Sequence, residues 1–192
     1  MPREQPDRPG LLTTIGYGDR PWEDFLERLR RHHVEYIADV RSHPRSRLPE
    51  YEGEALRPAL ARCGIKYVFM GDSLGGKPDD PSCYVGGRVD YAQCEKRPAF
   101  IAGLDRLAGA LRDGHRVALL CSELDPERCH RSKLIGQALL KRGIPISHID
   151  RDGNSIDQAQ VIERITGGQA HLFGESFTSI GRYDPGALSE GN

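Results

Sequence analysis

The sequence has no excess of either charge and no long apolar run, and each of these absences argues against some classes of function. Its 27 basic and 28 acidic residues give a formal net charge of -1, so attraction to nucleic acid or anionic lipid needs a local patch. No apolar stretch approaches a membrane span in length, and the charged, proline-rich residues 1–10 lack the apolar segment of a signal peptide. We therefore predict a cytoplasmic protein that has no membrane partner.

Cysteine is also scarce, and the patterns of well-known sites are missing. The five cysteines are odd in number and irregularly spaced, which favours free thiols over a disulfide framework. The chain has no CxxC, HxxxH or HExxH spacing and none of the motifs GxxxxGK[ST], GxGxxG or GxSxG. The cysteine-phosphatase loop fails as well, because Glu127 stands six residues after Cys121 where that loop has arginine. The sequence therefore predicts no metal ligands and identifies no cofactor.

What the sequence does contain is an alternation of strand and helix patterns. Short apolar runs predict strands at 11–18, 35–40, 65–70, 115–121 and 145–150. Amphipathic segments predict helices at 21–33, 53–64, 98–114, 126–142 and 155–167. This order predicts a three-layer α/β fold, with a mostly parallel central sheet of about five strands and helices on both faces. We expect a single domain over 11–167, between a flexible N-terminal tail (1–10) and an irregular or flexible C-terminal tail (168–192).

Four of the predicted strands end in charged or glycine-rich segments, whereas the connections at the opposite edge are plain. These segments are GYGDR, DVRSHPRSR, GDSLGG and CSELDPERCHR. In open parallel sheets, ligands bind outside the carboxyl ends of the strands. We therefore expect the four segments to share one site, which the long Gly/Pro/Asp segment 71–97 could close.

The segment DVRSHPRSR indicates an anion site. Arg41, Arg45 and Arg47 place three guanidinium groups within seven residues, a density that suits an anion with several oxygen atoms. Asp39 and Arg41 point the same way, because they lie two residues apart on a strand. The alternative is a solvated loop in which Asp39 and Arg41 pair with each other.

The segment CSELDPERCHR indicates a second part of the same site. Asp125 is a predicted N-cap, and the basic residues that follow oppose the helix dipole unless an anion neutralises them. Neutralisation by Glu123 and Asp125 themselves is the alternative. Positive neighbours would lower the pKa of the Cys121 or Cys129 thiol. The alternatives for these cysteines are inert core residues, or a redox or zinc site shared with His130.

Taken together, the segments TIGYG, DVRSHPRSR, YVFMGDSLGGKP and VALLCSELDPERCHR resemble the bacterial family known as domain of unknown function 488. The resemblance runs from about Thr14 to Ile149. It implies an α/β fold and a common site built from these segments. It implies no established reaction.

We predict an enzyme that acts on a small anionic, phosphate-bearing substrate, such as a nucleotide or a nucleic-acid end. The candidate catalytic residues are His43, Cys121, Glu123, Cys129 and His130. The candidate substrate-binding residues are Tyr17, Asp39, Arg41, Arg45, Arg47, Gly75, Gly76, Arg131 and Ser132. A non-catalytic module for nucleic acid or nucleotides and a thiol redox or metal-binding protein remain the alternatives, and the sequence predicts no oligomeric state.

Overall fold

A six-stranded sheet forms the centre of the protein in the computed structural model, which describes residues 10–168 and 177–183. The strands are Leu11–Gly16 (β1), Tyr36–Asp39 (β2), Lys66–Phe69 (β3), Tyr84–Val85 (β4), Arg88–Val89 (β5), Arg116–Cys121 (β6), Ser147–Ile149 (β7) and Ser155–Asp157 (β8). The sheet order is β3-β2-β6-β1-β7-β8, and β4 and β5 form a separate hairpin. All pairs in the large sheet are parallel except β7 with β8.

Helices cover both faces of this sheet, which confirms the predicted three-layer α/β class. They are Trp22–Arg31 (α1), Gly53–Arg62 (α2), Gly71–Leu74 (α3), Tyr91–Cys94 (α4), Pro98–Arg112 (α5), Gln137–Lys141 (α6) and Gln158–Thr166 (α7). Three short 3-10 turns lie at Pro49–Tyr51, Pro81–Cys83 and Pro126–Arg128, and a π-helical turn lies at Arg131–Gly136. Among the described residues, no helix is both long and apolar enough to cross a membrane.

Strand β6 shows why the sheet is buried on both sides. Its side chains alternate, so Val117 and Leu119 pack on the face covered by α5 and α6. Ala118 and Leu120 pack on the opposite face with residues of α1 and α2. A strand in this position needs apolar residues at every place, because successive side chains point to opposite faces.

The predicted helix over 126–142 is wrong as a continuous element. The 3-10 turn Pro126–Arg128 is followed by Cys129 in an extended conformation (φ -116°, ψ 150°). Ser132 Oγ is within donating distance of the carbonyl oxygens of both Pro126 and Cys129, and this side chain ties the 3-10 turn to the helical segment that follows. The chain then widens into the π-helical turn before α6 begins.

Asp125, which was the predicted N-cap of that helix, makes no side-chain capping bond. Its carboxylate lies 3.2 Å from Arg151 Nη2 instead. A three-residue 3-10 turn leaves few amide groups to cap, whereas a nearby guanidinium offers a charged partner.

The helix predicted over 155–167 begins later than expected. Its first three residues form the antiparallel edge strand β8. Asp157 then starts α7 with a capping box, in which its side chain accepts from the Gln160 amide and the Gln160 side chain accepts from the Asp157 amide. The sequence has the residues of a capping box, and they mark the true start of the helix.

The segment 71–97 contains more regular structure than its composition suggested, because α3, the β4–β5 hairpin and α4 all lie in it. Of the predicted C-terminal tail, residues 177–183 run along the hairpin. Ser179 N donates to Val89 O and Tyr183 N donates to Gly87 O. Residues 1–9, 169–176 and 184–192, on which the rest of the predicted tails falls, lie outside the described residues, and the domain limits remain a prediction.

Candidate functional site

The sheet order brings three polar segments together at one edge. Strand β6 lies between β2 and β1, so the residues after β6 face those after β2 across the carboxyl edge. The loop after α3 joins them, because Lys77 N donates to Ser42 Oγ over 2.9 Å. Between these segments lies a pocket of about 330 Å³, and residues 179–181 and Tyr183 form part of its wall.

Two thiols, one carboxylate and one imidazole form a cluster on the pocket floor. Cys121 Sγ lies 2.8 Å from Glu123 Oε2, and Cys129 Sγ lies 3.4 Å from the same oxygen. His130 Nδ1 is 3.8 Å from Cys121 Sγ and 3.7 Å from Cys129 Sγ. Both cysteines and His130 are buried, while Glu123 is exposed to the pocket. We call these four residues the CEH cluster.

The two thiols of the CEH cluster have opposite protonation tendencies. Burial by itself would raise the pKa of Cys129, but a hydrogen bond with Cys121 and the charge of Arg131 hold this pKa well below its ordinary value. The hydrogen bond with Cys129, together with burial, raises the pKa of Cys121 well above its ordinary value. Burial lowers the pKa of His130, yet the charge of Cys129 outweighs it and the pKa rises. Cys129 is therefore the more acidic thiol of the pair.

Arg131 is held behind the cluster and does not reach the pocket. Its side chain is fully buried. Nε donates to Cys129 Sγ over 3.2 Å, Nη1 donates to Thr14 Oγ1 over 3.2 Å and Nη2 donates to Glu123 O over 2.6 Å. The predicted contact between Arg131 and a substrate anion is not seen in this arrangement, because the side chain is fully buried behind the pocket and each of its three nitrogen atoms donates to an acceptor of the protein.

A hydrogen-bonded chain fixes Arg131 from the far side. Thr14 Oγ1 accepts from Arg131 and donates to His148 Nδ1 over 2.8 Å. His148 Nε2 donates to Gln158 Oε1 over 2.6 Å, and Gln158 Nε2 donates to the Ser132 carbonyl over 3.0 Å. No sequence motif singles out His148, whose side chain is completely buried.

Arg41 is also bound by groups of the protein. This agrees with the alternative interpretation of DVRSHPRSR, in which Asp39 and Arg41 pair with each other. Its Nε and Nη2 donate to Asp39 Oδ1 and Oδ2 over 2.9 and 2.6 Å. Nη1 donates to the Tyr51 carbonyl over 2.8 Å and lies 3.5 Å from Tyr17 Oη. Burial opposes the charge of Arg41, but the bonds to Asp39 outweigh it and raise its pKa. Arg41 touches the pocket wall, yet its charge is already matched.

The unmatched positive charges lie on the rim. Arg45, Lys77 and Arg128 all line the pocket, and no carboxylate of residues 10–168 or 177–183 forms an ion pair with them. Lys77 Nζ lies 4.2 Å from the centre of the Tyr183 ring, and both residues line the pocket. His43, also exposed, lies on the same rim.

The other predicted residues fall at different distances from the pocket. Gly76 lines it and packs on His130, since a Cβ added at Gly76 would lie 2.8 Å from His130 Nδ1. Gly75 packs on Ser42 just behind the wall. Ser132 is buried and bonded to backbone carbonyls, outside the pocket. Tyr17 and Arg47 line a shallower depression beside it, which shares Arg45 and Glu123 with the pocket.

Sequence reasoning missed Lys77, Arg128, Tyr183 and the chain through His148. The first two stand beside predicted residues, so their charge was a signal that could have found them. Tyr183 and His148 carry no such signal, because only the folded chain brings them near the cluster.

The comparison with known families decides where this chain belongs. The family described as Domain of unknown function DUF488 matches residues 21–138, more than half of the sequence. The chain belongs to this family. No curated protein and no solved structure matches it. The DUF488 region contains the CEH cluster and the rim residues, whereas Tyr17, His148 and Tyr183 lie outside it.

Proposed function

We propose that the protein is an enzyme that acts on a small phosphate-bearing substrate, such as a nucleotide or a nucleic-acid end, in the pocket at the carboxyl edge of the sheet. One observation carries this proposal. Three cations that have no carboxylate partner in the described part of the chain stand on the rim of a pocket whose floor holds the CEH cluster. Free guanidinium and ammonium groups favour an anion with several oxygen atoms, and clustered groups with shifted pKa values are typical of reaction centres.

The roles differ from those expected of the sequence alone. Arg45, Lys77 and Arg128 hold the phosphate in this proposal, whereas Arg41 and Arg131 position their neighbours. Glu123, exposed to the pocket and 2.8 Å from Cys121 Sγ, is placed to accept a proton from a group bound above the cluster. His43, exposed on the rim, is placed to form a hydrogen bond with a bound phosphate.

Binding of phosphate tests the first half of the proposal. Inorganic phosphate and a nucleoside monophosphate should raise the melting temperature of the wild-type chain. Lys77→Gln and Arg128→Gln should each weaken this binding by about tenfold, because each removes a charge-assisted hydrogen bond. Arg106→Gln, which removes an exposed arginine from α5 far from the pocket, is the matched control and should bind like wild type. Equal shifts in all four proteins would contradict an anion site on the rim.

Turnover tests the second half and separates an enzyme from a binding module. The chain would be incubated with nucleotides and 5′-phosphorylated oligonucleotides, and products would be followed by mass spectrometry. Glu123→Gln should keep the phosphate-induced shift but lose turnover, since the amide cannot accept the proton. If phosphate raises the melting temperature but no phosphorylated substrate is converted, the result would instead support a non-catalytic module that binds nucleic acid or nucleotides.

A further inference from the structure

The CEH cluster contains three ligand atoms of a kind that binds soft metal ions. The Sγ atoms of Cys121 and Cys129 and a ring nitrogen of His130 all lie within 4.8 Å of one another. The two sulfur-to-Nδ1 distances are 3.8 and 3.7 Å. A tetrahedral zinc ion, with bonds of about 2.3 Å to sulfur and about 2.0–2.1 Å to nitrogen, separates such ligand atoms by about 3.5 Å. Both sulfur-to-nitrogen distances are therefore close to those around a bound zinc.

The orientation of His130 supports this interpretation. Its Nε2 lies 3.0 Å from the Val40 carbonyl oxygen, which can only accept a hydrogen bond, so Nε2 carries the proton. Nδ1 then directs a lone pair at the two sulfur atoms when the ring is neutral. A backbone carbonyl that fixes the second ring nitrogen is the usual outer partner of a metal-binding histidine.

The surroundings of Cys129 also favour a metal-bound thiolate. The Arg131 amide donates to Cys129 Sγ over 3.5 Å, and Arg131 Nε donates to it over 3.2 Å. Two buried thiolates beside the Glu123 carboxylate would repel one another without a compensating cation. A divalent ion together with the buried Arg131 guanidinium balances these three negative charges.

The position of Glu123 makes the arrangement that of a reactive metal site rather than a closed structural one. The protein supplies two sulfur ligands and one nitrogen ligand, and the fourth direction opens to the pocket, where Glu123 lies. Structural zinc sites are closed by four protein ligands, while catalytic ones keep a place for water or substrate. A zinc-bound water has a pKa near neutrality, and Glu123 can accept the proton that this water loses.

We propose that Cys121, Cys129 and His130 bind one Zn²⁺ ion, with the fourth position facing the pocket and Glu123 beside it. Thiolate and imidazole ligands favour zinc over magnesium or calcium, which prefer oxygen. The sequence spacing had predicted no metal ligands, because seven residues separate the two cysteines and neither CxxC nor HxxxH occurs. This inference deepens the proposed function and rests on its pocket, since the metal would supply the chemistry there.

The first test uses the full-length wild-type chain, purified under reducing conditions without chelator. Elemental analysis should find about one zinc per chain. X-ray absorption at the zinc edge should show two sulfur ligands, with the remaining ligands being nitrogen or oxygen. Chelation should release the metal, and Co²⁺ added afterwards should produce sulfur-to-cobalt charge-transfer absorption and the visible bands of a four-coordinate ion.

Variants locate the site. Cys121→Ser, Cys129→Ser and His130→Gln should each lose most of the zinc and the cobalt spectrum. Cys83 and Cys94 are the matched control, because they form another buried pair of neighbouring thiols and His130 is not part of it. The double variant Cys83→Ala/Cys94→Ala should keep its zinc. Circular dichroism identifies any variant that fails to fold, and the wild-type absorption spectrum remains decisive in that case.

Three results would overturn the metal site. They are a folded, reduced wild-type chain that takes up no zinc, zinc that persists in both single cysteine variants, and a Cys121–Cys129 disulfide in the chain isolated with reductant. Failure of the substrate proposal looks different. If zinc binding depends on the three ligands but phosphate does not stabilise the chain, the proposed metal site stands and the proposed phosphate-bearing substrate is wrong. If a folded chain without zinc is stabilised by phosphate and turns over substrate, the metal site is wrong and a mechanism based on the Cys129 thiol takes its place.

Discussion

Individual arginines in this protein have different tasks that their charge alone does not reveal. Arg41 and Arg131 are buried, and acceptors of the protein occupy their donors. Arg45 and Arg128 are exposed, and the described residues give them no acidic partner. A buried charge needs such partners to offset its desolvation, so the buried arginines organise the site and the exposed ones can bind a ligand.

His148 is a residue whose burial has a consequence for stability. Burial lowers its pKa from 6.5 to about 4, the Arg131 charge acts in the same direction and the bond to Gln158 opposes them. Above pH 6.5 the ring is neutral in both states. As the pH falls from about 6.5 towards 4, the unfolded chain takes up a proton that the folded chain does not, so this residue lowers the free energy of unfolding by about 1.4 kcal/mol per pH unit.

Urea unfolding at pH 6.5 and pH 5.0 measures this contribution. Between these two pH values, the His148 contribution should lower the free energy of unfolding of the wild-type chain by about 2 kcal/mol. His148→Asn keeps an acceptor near Thr14 Oγ1. This variant should be less stable than wild type at both pH values, but its free energy of unfolding should fall by about 2 kcal/mol less than that of wild type between pH 6.5 and pH 5.0. His43→Asn changes an exposed histidine on the rim and should retain the wild-type pH dependence. The same loss in His148→Asn as in wild type would show that another group is responsible.

At the scale of elements, the π-helical turn Arg131–Gly136 orients the floor of the pocket. Neighbouring side chains of a regular α-helix differ by about 100° in direction, so Cys129, His130 and Arg131 would not all face one point. The extended conformation of Cys129 and the wide turn after it let these consecutive residues meet. Single π-helical turns are often found at functional sites for this reason.

Gly136 in this turn provides a test of the packing. It has ordinary helical dihedral angles (φ -60°, ψ -42°), but an added Cβ would meet the Gln158 side chain. Gln158 cannot move away without breaking its bonds to His148 and Ser132. Gly136→Ala should therefore lower the free energy of unfolding by about 1–3 kcal/mol in urea unfolding.

Gly109→Ala is the matched control for that experiment. Gly109 lies within α5, and among the described residues outside the helix backbone only the Arg112 Nη2 atom, at 3.8 Å, would come within 4 Å of its added Cβ. Alanine suits a helix better than glycine, so this substitution should stabilise the chain by about 0.5–1 kcal/mol. If Gly136→Ala also stabilises the chain, the contact with Gln158 does not constrain the turn.

For the whole molecule, charge limits the way in which nucleic acid can bind. The net charge is -1, and the pocket itself is lined by Arg45, Lys77 and Arg128, which have no carboxylate partner among the described residues. We expect contact with a single-stranded end in this pocket to involve mainly these three cations.

Salt dependence makes this limit measurable. Binding of a 5′-phosphorylated single strand, followed by fluorescence anisotropy, should show a slope of log K against log salt no steeper than about -2, at about -0.7 for each phosphate neutralised. The same strand without its 5′-phosphate should bind more weakly. A slope of about -5 or steeper would indicate an extended nucleic-acid surface instead.

The sequence by itself determined the layer architecture, the edge of the sheet that carries the site and the family. These follow from local patterns, such as the apolar run of β6 and the polar segments at the strand ends, which are present before the chain folds. The late start of α7 was also encoded locally, in the pair Asp157 and Gln160. The break at Cys129 was not, because Cys129 is neither proline nor glycine and no local pattern marks its extended conformation.

Only the tertiary structure decided which charges are free and which side chains meet. Asp39 pairs with Arg41, whereas Lys77 and Arg128 line the pocket without a carboxylate partner among the described residues. Spacing along the chain does not distinguish these two cases. Cys121 and His130 come within reach of one another only after β6 is packed and the turn beyond it has formed. Burial and pairing depend on the positions of all neighbours, which is why the composition of a segment predicts where a site lies better than which atoms form it.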